Sequence, residues 1–189
     1  MATYPGRSMR SPLALTSVAE FGRLGLQAWV GREDFDQAKV GANDWPNLPR
    51  PKPDHGFFTS SWDEVSRTSA WMRSRSFRRR GDPDSKAPVL LSPVHSATLF
   101  VIDSTADFGT LANQYSHKYS NPRDPRVCPD WRKLADLADA VHVTSSAVTD
   151  QDNPYAHAWE VESTLWFRGD VLIRAPQAPG SSGIPHAAT

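Results

Sequence analysis

A nearly continuous apolar stretch from Ala97 to Asp103 (ATLFVID) constrains the fold of this chain more than any other feature. Apolar residues without polar alternation are typical of a strand buried on both faces. Directly after it, Ser104 or Thr105 is a predicted helix N-cap. The helix that follows carries an apolar stripe at helical spacing, formed by Phe108, Leu111, Ala112 and Tyr115.

Further helices and strands are predicted on both sides of this unit. Ser17 is expected to cap a helix that runs to about Leu24 and stops at Gly25. A later helix begins at Asp130, with Trp131, Leu134, Ala135 and Ala138 on its buried face. Strands are predicted at Leu13–Thr16, Gly56–Ser60, Ala140–Thr144 and Trp159–Arg168, and Val171–Ile173 is expected to pair with the last of these as a hairpin across Gly169-Asp170.

A possible capping box follows the second predicted strand. Ser61-Trp62-Asp63-Glu64 matches the Ser-x-x-Glu pattern. The residues of one helical face would then be Trp62, Val65, Ser69 and Met72. The pattern predicts a strand, a tight turn and a helix, and the chain as a whole is predicted to be α+β.

Composition sets the limits within which this α+β chain can act. The 189 residues include 21 basic and 21 acidic side chains, which excludes a globally basic nucleic-acid binder. A single cysteine, Cys128, excludes an internal disulfide framework and any cysteine-rich zinc site. No apolar run reaches the roughly 20 residues of a membrane helix. We therefore expect a soluble, cytoplasmic protein with no membrane partner.

The predicted domain boundaries lie where apolar residues become rare in the sequence. The C-terminal residues 176–189 are rich in Gly, Ser, Pro and Ala and are expected to be a disordered tail. Residues 1–11 are polar and contain Pro5 and Gly6, so a loose N-terminus is expected. One domain is predicted over residues 12–175.

Two carboxylates stand in the last predicted strand, Glu160 and Glu162, and by strand alternation they would share a face with Thr164 and Trp166. One interpretation is a charged edge strand that discourages aggregation. The other is that one carboxylate projects into a cleft and stabilises a cationic transition state.

The segments around these glutamates resemble the motifs of the ADP-ribosyltransferase fold. Gly56-Phe57-Phe58-Thr59-Ser60-Ser61, followed by Ser66, Thr68, Ser69, Ala70 and Trp71, resembles the second motif of the diphtheria-toxin-like branch. Phe58-Thr59-Ser60-Ser61 is similar to the aromatic-Ser-Thr-Ser of the cholera-toxin-like branch, and Glu160-Val161-Glu162 resembles its Glu-x-Glu. The resemblance implies a single compact domain with a split antiparallel sheet core.

The first motif of that family is the one from which the chain departs. The family carries a His or Arg on its first strand that holds the ribose and diphosphate of NAD. Leu13 to Ser17 offers no basic residue, so Arg10 is the candidate, with Arg7 and Arg32 as further choices. This departure leaves an inactive or altered-specificity member as an alternative.

The resemblance also implies roles for individual residues. Glu162 would be the catalytic glutamate that stabilises an oxocarbenium-like state of NAD, and Glu160 would orient the acceptor. The nicotinamide pocket would consist of Phe57, Phe58, Thr59, Ser60 and Ser61. NAD would be consumed as substrate, an unidentified macromolecule would accept ADP-ribose, and no metal is required.

Other residues give alternatives. Trp71 to Arg80 (WMRSRSFRRR) interleaves five arginines with aromatics, which suits either a solvated helix end or a nucleic-acid site over Arg73–Arg80. The histidines do not show metal spacing, and His142 is interpreted as a core or surface residue. A catalytically silent binding protein on the same scaffold, using the arginines, is therefore the alternative function.

Overall fold

The computed structural model describes residues 13–22, 24–30, 35–36, 40, 50–53, 56–74, 88–117, 127–150 and 155–176. Nine strands occur within these ranges: β1 (Leu15–Ser17), β2 (Gln27–Trp29), β3 (Phe57–Asp63), β4 (Thr68–Ser69), β5 (Val89–Pro93), β6 (Thr98–Ile102), β7 (Ala140–Val143), β8 (Ser163–Trp166) and β9 (Leu172–Arg174). The helices in the same ranges are α1 (Val18–Phe21), α2 (Ala70–Arg73), α3 (Thr105–Gln114), α4 (Trp131–Ala135), α5 (Ser145–Thr149) and α6 (Ala156–Trp159).

The described strands form one curled, mostly antiparallel sheet in a single α+β domain. Their order is β1-β6-β7-β8-β3-β2-β5-β9, and β4 is attached to β3. Only β6 and β7 pair in parallel, and the chain between them forms α3 and α4. β3 pairs with β8 on one side and with β2 on the other, so the order of the described strands is continuous from β1 to β9.

The apolar stretch at the centre of the sequence is β6, as predicted. Its side chains alternate between two buried clusters because both faces of the sheet are covered. Phe100 and Ile102 contribute to the outer cluster, beneath α3 and α4, and Leu99 contributes to the inner cluster, within the curl. Burial on both faces therefore explains the missing polar alternation in Ala97 to Asp103.

The cap predicted at Ser104 and the helix start predicted at Asp130 are confirmed. Ser104 accepts a hydrogen bond from the N–H of Asp107, and Asp130 accepts one from the N–H of Lys133. The buried side chains of α3 and α4 are Phe108, Leu111, Ala112, Trp131 and Leu134, all in the predicted stripes. For α3 and α4, the predicted start of the helix and the predicted apolar stripe therefore both agree with the structure.

The first helix is capped as predicted but is shorter. The Ser17 side chain accepts from the Glu20 N–H, and the Glu20 carboxylate accepts from the Ser17 N–H, which closes a capping box. Gly22, not Gly25, ends the helix, with a φ of 63°. The left-handed conformation at Gly22 costs little because glycine has no Cβ.

The capping box predicted at Ser61 to Glu64 is wrong. Ser61 lies inside β3, paired with Gln27, and its N–H and hydroxyl donate to the Glu162 carboxylate, so the backbone is extended there and no helix starts. Asp63 instead accepts from the N–H groups of Val65 and Ser66 and from the Ser66 hydroxyl, which forms a turn. The helix begins only after Ser69, its actual N-cap.

The strand predicted over Trp159–Arg168 is reduced to β8 (Ser163–Trp166). Trp159 is the last residue of α6, and its side chain is buried in the outer cluster. Val161 N–H then donates to the Trp159 carbonyl, and Glu160 between them has a φ of 47°. The hairpin predicted with Val171–Ile173 is also wrong, since β9 pairs with β5.

Within the described residues, the helices are too short or too polar to cross a membrane.

A close contact at Gly56 allows the packing between β3 and β8 to be tested. A Cβ at this position would lie 2.6 Å from Leu165 Cδ1 and 3.1 Å from a carbon of the Phe58 ring. Because Leu165 is fully buried, Gly56→Ala should lower the free energy of unfolding by about 1–3 kcal/mol. Urea unfolding followed by tryptophan fluorescence measures the change.

Gly109→Ala is the matched control. Gly109 lies within α3, and a Cβ there would meet nothing within 4 Å. Replacing a helix-interior glycine with alanine should raise the free energy of unfolding by about 0.5–1 kcal/mol. Equal effects of the two substitutions would contradict the packing described here.

Candidate active site around Glu162

The site begins where the pairing of β3 with β8 ends. The last paired residues of this ladder are Thr59 and Thr164. If the register is continued by two residues, Ser61 lies opposite Glu162. At that point the glutamate side chain replaces the partner strand, because its carboxylate accepts the Ser61 backbone N–H.

Three hydrogen bonds fix the position of the Glu162 carboxylate. The Ser61 N–H lies 3.1 Å from Oε2 and 3.3 Å from Oε1, and the Ser61 hydroxyl lies 2.9 Å from Oε1. The Glu162 residue is only 7% exposed. A glutamate in bulk solvent would sample several rotamers, whereas this one is held in one place by a neighbouring strand.

The inner face of the sheet becomes more polar toward this glutamate. Three rows of side chains cross β3, β8, β7 and β6 in register. The innermost row is apolar and consists of Phe57, Trp166, Ala140 and Leu99. The next row consists of Thr59, Thr164, His142 and Val101. If the register is continued by two residues on each strand, the last row consists of Ser61, Glu162, Thr144 and Asp103. In that last row the Thr144 hydroxyl donates to Asp103 over 2.6 Å.

Gln27 on β2 connects these rows. Its fully buried side chain accepts at Oε1 from the hydroxyls of Thr59, at 2.8 Å, and Thr164, at 3.1 Å. Its Nε2 donates to the Ser61 hydroxyl oxygen over 3.3 Å. The Ser61 hydroxyl is therefore oriented from behind, so that its proton points to Glu162.

The network also fixes the protonation of His142. Thr164 gives its only hydroxyl proton to Gln27, so it can only accept at its 2.9 Å contact with His142 Nδ1. Nδ1 therefore carries the proton and Nε2 carries the lone pair. Nδ1 also lies 3.7 Å from Glu162 Oε1.

Burial sets the charge of both groups. It lowers the pKa of His142 to about 4, although Asp103 opposes the shift, so the imidazole is neutral at pH 7. Burial raises the pKa of Glu162, and the Ser61 hydrogen bonds and the Arg73 charge oppose that shift. Without those partners, desolvation alone would favour a neutral carboxyl group.

A cleft of about 340 Å³ opens beside Glu162. Side chains from several elements line it, including Phe21, Ser61, Arg73, Asp103, His142 and Glu162. Arg73 is the last residue of α2, a helix that lies beside β3. The cleft thus combines a held carboxylate, a neutral imidazole and a guanidinium group.

The residues predicted to form one nicotinamide pocket are divided between the two faces of β3. Ser61 lines the cleft, and Thr59 lies behind it in the Gln27 network. Phe57 is on the same face, farther from the cleft, stacked 5.6 Å from Trp29. Phe58 and Ser60 point to the opposite face, because side chains alternate along a strand.

The glutamates are also separated. Glu162, Thr164 and Trp166 share the inner face, as expected from alternation, but Glu160 lies on an exposed turn outside the strand. Arg10 lies outside the described residues, as do residues 75–80 of the arginine run. Arg73, the first arginine of that run, faces the cleft.

Three residues of the site could not be assigned to it from the sequence. His142 was interpreted only as a core or surface residue, although a histidine within an apolar strand was a signal of an internal polar site. Arg73 was grouped with the arginines that follow it. Gln27 carried no signal, since its partners are 32 and 137 positions away.

Among the described residues, His, Cys, Asp and Glu side chains form no group of three or more that could hold a metal ion.

Acidification should reveal the buried neutral His142. Between pH 6.5 and 4 the unfolded chain binds a proton at this histidine and the folded chain does not, so the free energy of unfolding falls as the pH is lowered. Across that interval the contribution is about 3 kcal/mol. It is absent above pH 6.5, where both states are neutral.

The measurement compares the wild type with His142→Gln by urea unfolding from pH 7 to pH 4. Glu162, with its raised pKa, contributes in the opposite direction, since its folded carboxyl group takes up a proton earlier. We expect His142→Gln to lose less stability than the wild type on acidification. Parallel pH profiles would show that His142 is not buried in its neutral form.

Comparison of this chain with protein-family models, with curated proteins and with solved structures gives no match.

Proposed function

We propose that the protein cleaves the glycosidic bond of NAD and transfers ADP-ribose to a macromolecular acceptor. The observation that carries this proposal is the buried Glu162 carboxylate, held by Ser61 at the wall of a cleft. The proposal includes an ADP-ribosyltransferase-like fold, in which β3 and the segment that leads into β8 carry the two motifs that resemble the family. These strands are antiparallel neighbours.

The chemistry of NAD cleavage requires a fixed negative charge. Nicotinamide leaves as a neutral base from a cationic ring, and positive charge develops on the ribose, as it does in glycoside hydrolysis. A carboxylate that is already in place stabilises this charge without reorganising in the reaction. Glu162 would serve in this way, since its hydrogen bonds to Ser61 fix its position before substrate arrives.

The remaining cleft residues suit the same substrate. His142 Nδ1 lies 3.7 Å from Glu162 Oε1, and because the imidazole is neutral at pH 7 it would not repel a cationic transition state formed beside that carboxylate. Arg73 offers a guanidinium group, whose fork of N–H donors matches phosphate oxygens. Arg73 would thus supply the basic group missing from the first motif, beside or in place of Arg10. The cleft volume of about 340 Å³ lies within the range of small-molecule sites.

Glu162→Gln tests the central claim. The substitution keeps the size of the side chain and an acceptor for Ser61, but it removes the charge. NAD hydrolysis, measured as nicotinamide release by purified protein, should fall about 100-fold or more. NAD affinity, measured by calorimetry, should change much less, because the charge acts mainly in the transition state.

Glu64→Gln is the matched control, since Glu64 lies on the exposed turn after β3 and outside the cleft. It should retain wild-type turnover. Equal turnover in the wild type and Glu162→Gln would reject the mechanism. If the wild-type protein releases no nicotinamide, the alternative is favoured: a silent scaffold that binds nucleic acid through Arg73–Arg80.

Arg73→Met tests whether Arg73 binds the diphosphate of NAD. Loss of a guanidinium–phosphate contact should raise the KM for NAD about tenfold or more and lower kcat less, because the diphosphate is bound equally in the ground and transition states. Arg132→Met, on the exposed surface of α4, provides the control. An unchanged KM for Arg73→Met would remove Arg73 from the substrate site.

Glu160 has a separate role in the proposal, that of orienting the acceptor. Its exposed position on the turn before β8 leaves it accessible to a macromolecule. Glu160→Gln should therefore leave NAD hydrolysis intact and reduce transfer to agmatine, a small guanidinium acceptor. Equal rates of transfer in Glu160→Gln and wild type would show that Glu160 plays no part in the reaction.

A further inference from the structure

A second cavity, of about 220 Å³, lies on the opposite face of β3 from the Glu162 cleft. Its walls include Lys52, Phe58, Ser60, Trp71 and Ser163. Phe58 and Ser60 reach it because they alternate with Thr59 and Ser61, whose side chains point to the inner face. The two cavities therefore present different residues of the same strand.

Lys52 places an ammonium group against aromatic rings in this cavity. Its Nζ lies 4.4 Å from the centroid of the Phe58 ring and 5.2 Å from that of Trp159. Within the described part of the chain, no carboxylate lies within salt-bridge distance of Nζ. Aromatic faces attract a cation but do not replace the hydrogen-bond acceptors it loses on leaving water.

Ser60 adds a second donor without an acceptor. Ser60 is only 1% exposed, and its hydroxyl oxygen accepts a hydrogen bond from the Trp71 N–H over 3.3 Å. The hydroxyl proton has no acceptor among the described residues. Buried donors are nearly always paired, so the unpaired hydroxyl proton of Ser60, in the same cavity as the half-buried Lys52 ammonium, indicates a missing anion.

We propose that this cavity binds a small aromatic carboxylate, with its carboxylate on Lys52 and Ser60 and its ring against Phe58 and Trp71. Two donors suit the two oxygens of a carboxylate, and aromatic walls suit a flat ring. Cavities for drug-sized ligands span about 300–1,000 Å³, so this one fits a single ring and not a dinucleotide. The site is distinct from the proposed NAD cleft and does not depend on that function.

Burial and charge are consistent with this assignment. Desolvation lowers the pKa of Lys52, and the more distant Glu160 opposes the shift. A bound carboxylate would act in the same direction as Glu160 and stabilise the charged ammonium. Ser60 would become fully hydrogen-bonded at the same time.

The test uses three probes, benzoate, benzamide and cyclohexanecarboxylate, with calorimetry on the full chain. Benzamide keeps the ring but has no charge, and cyclohexanecarboxylate keeps the charge but has no flat ring. Benzoate should bind about tenfold or more tightly than benzamide, because hydrogen bonds to charged groups are the stronger ones. It should also bind more tightly than cyclohexanecarboxylate.

Lys52→Met should abolish the preference for benzoate over benzamide, and Lys133→Met, at an exposed position of α4, should preserve it. Equal binding of benzoate and benzamide to the wild type would overturn the proposal, as would a preference that persists in Lys52→Met. Absence of benzoate binding at millimolar concentration would also overturn it. The wild-type comparison decides the question even if Lys52→Met does not fold. None of these outcomes depends on NAD turnover, which tests the proposed function separately.

Discussion

The buried amide of Gln27 is the interaction on which the rest of the site depends. It is fully buried, and its two ends contact two neighbouring strands: the oxygen accepts from Thr59 of β3 and Thr164 of β8, and the nitrogen donates to Ser61 of β3. Removing one member of such a network leaves several buried polar groups unpaired, which costs more than the single hydrogen bond. Gln27 thereby couples the pairing of β2, β3 and β8 to the orientation of the Ser61 hydroxyl.

That orientation determines what Glu162 can do. A carboxylate that is 7% exposed is driven by desolvation toward its neutral form. Ser61 opposes this with its N–H and its hydroxyl, and Arg73 adds a positive charge at the cleft. His142 adds no positive charge, because its own burial keeps it neutral. The sheet therefore holds the Glu162 carboxylate at the wall of the cleft, where Ser61 and Arg73 compensate its charge.

The sequence predicted the elements in which local signals and burial agree. Ser17 and Ser104 are predicted as caps and Asp130 as the start of a helix, and each precedes a helix in the structure. Prediction failed at Ser61, where a perfect local pattern for a capping box lost to a contact with a residue 101 positions away. No local signal can report such a partner.

The site itself could be predicted in part for the same reason. Glu162 and Ser61 were selected by their resemblance to known motifs, and the structure brings them into contact. Strand alternation groups Glu160 with Glu162, but a helix ends at the buried Trp159 and the chain turns at Glu160, so the strand begins only after Glu162. Gln27 and His142 entered the site only through strand order, which pairs β2 with β3 and β7 with β8.

Strand β3 shows how one short segment acquires two different chemical surfaces. Side chains on a strand alternate, so Thr59 and Ser61 face the inner network, and Phe58 and Ser60 face the Lys52 cavity. A shift of one residue in its pairing would exchange these sets and place Ser60 opposite Glu162. Gly56 opposes such a shift, because the backbone there lies against Leu165 and leaves no room for a side chain. The position of the acidic group is thus fixed by packing five residues away, and any function of the cleft depends on the register that this packing maintains.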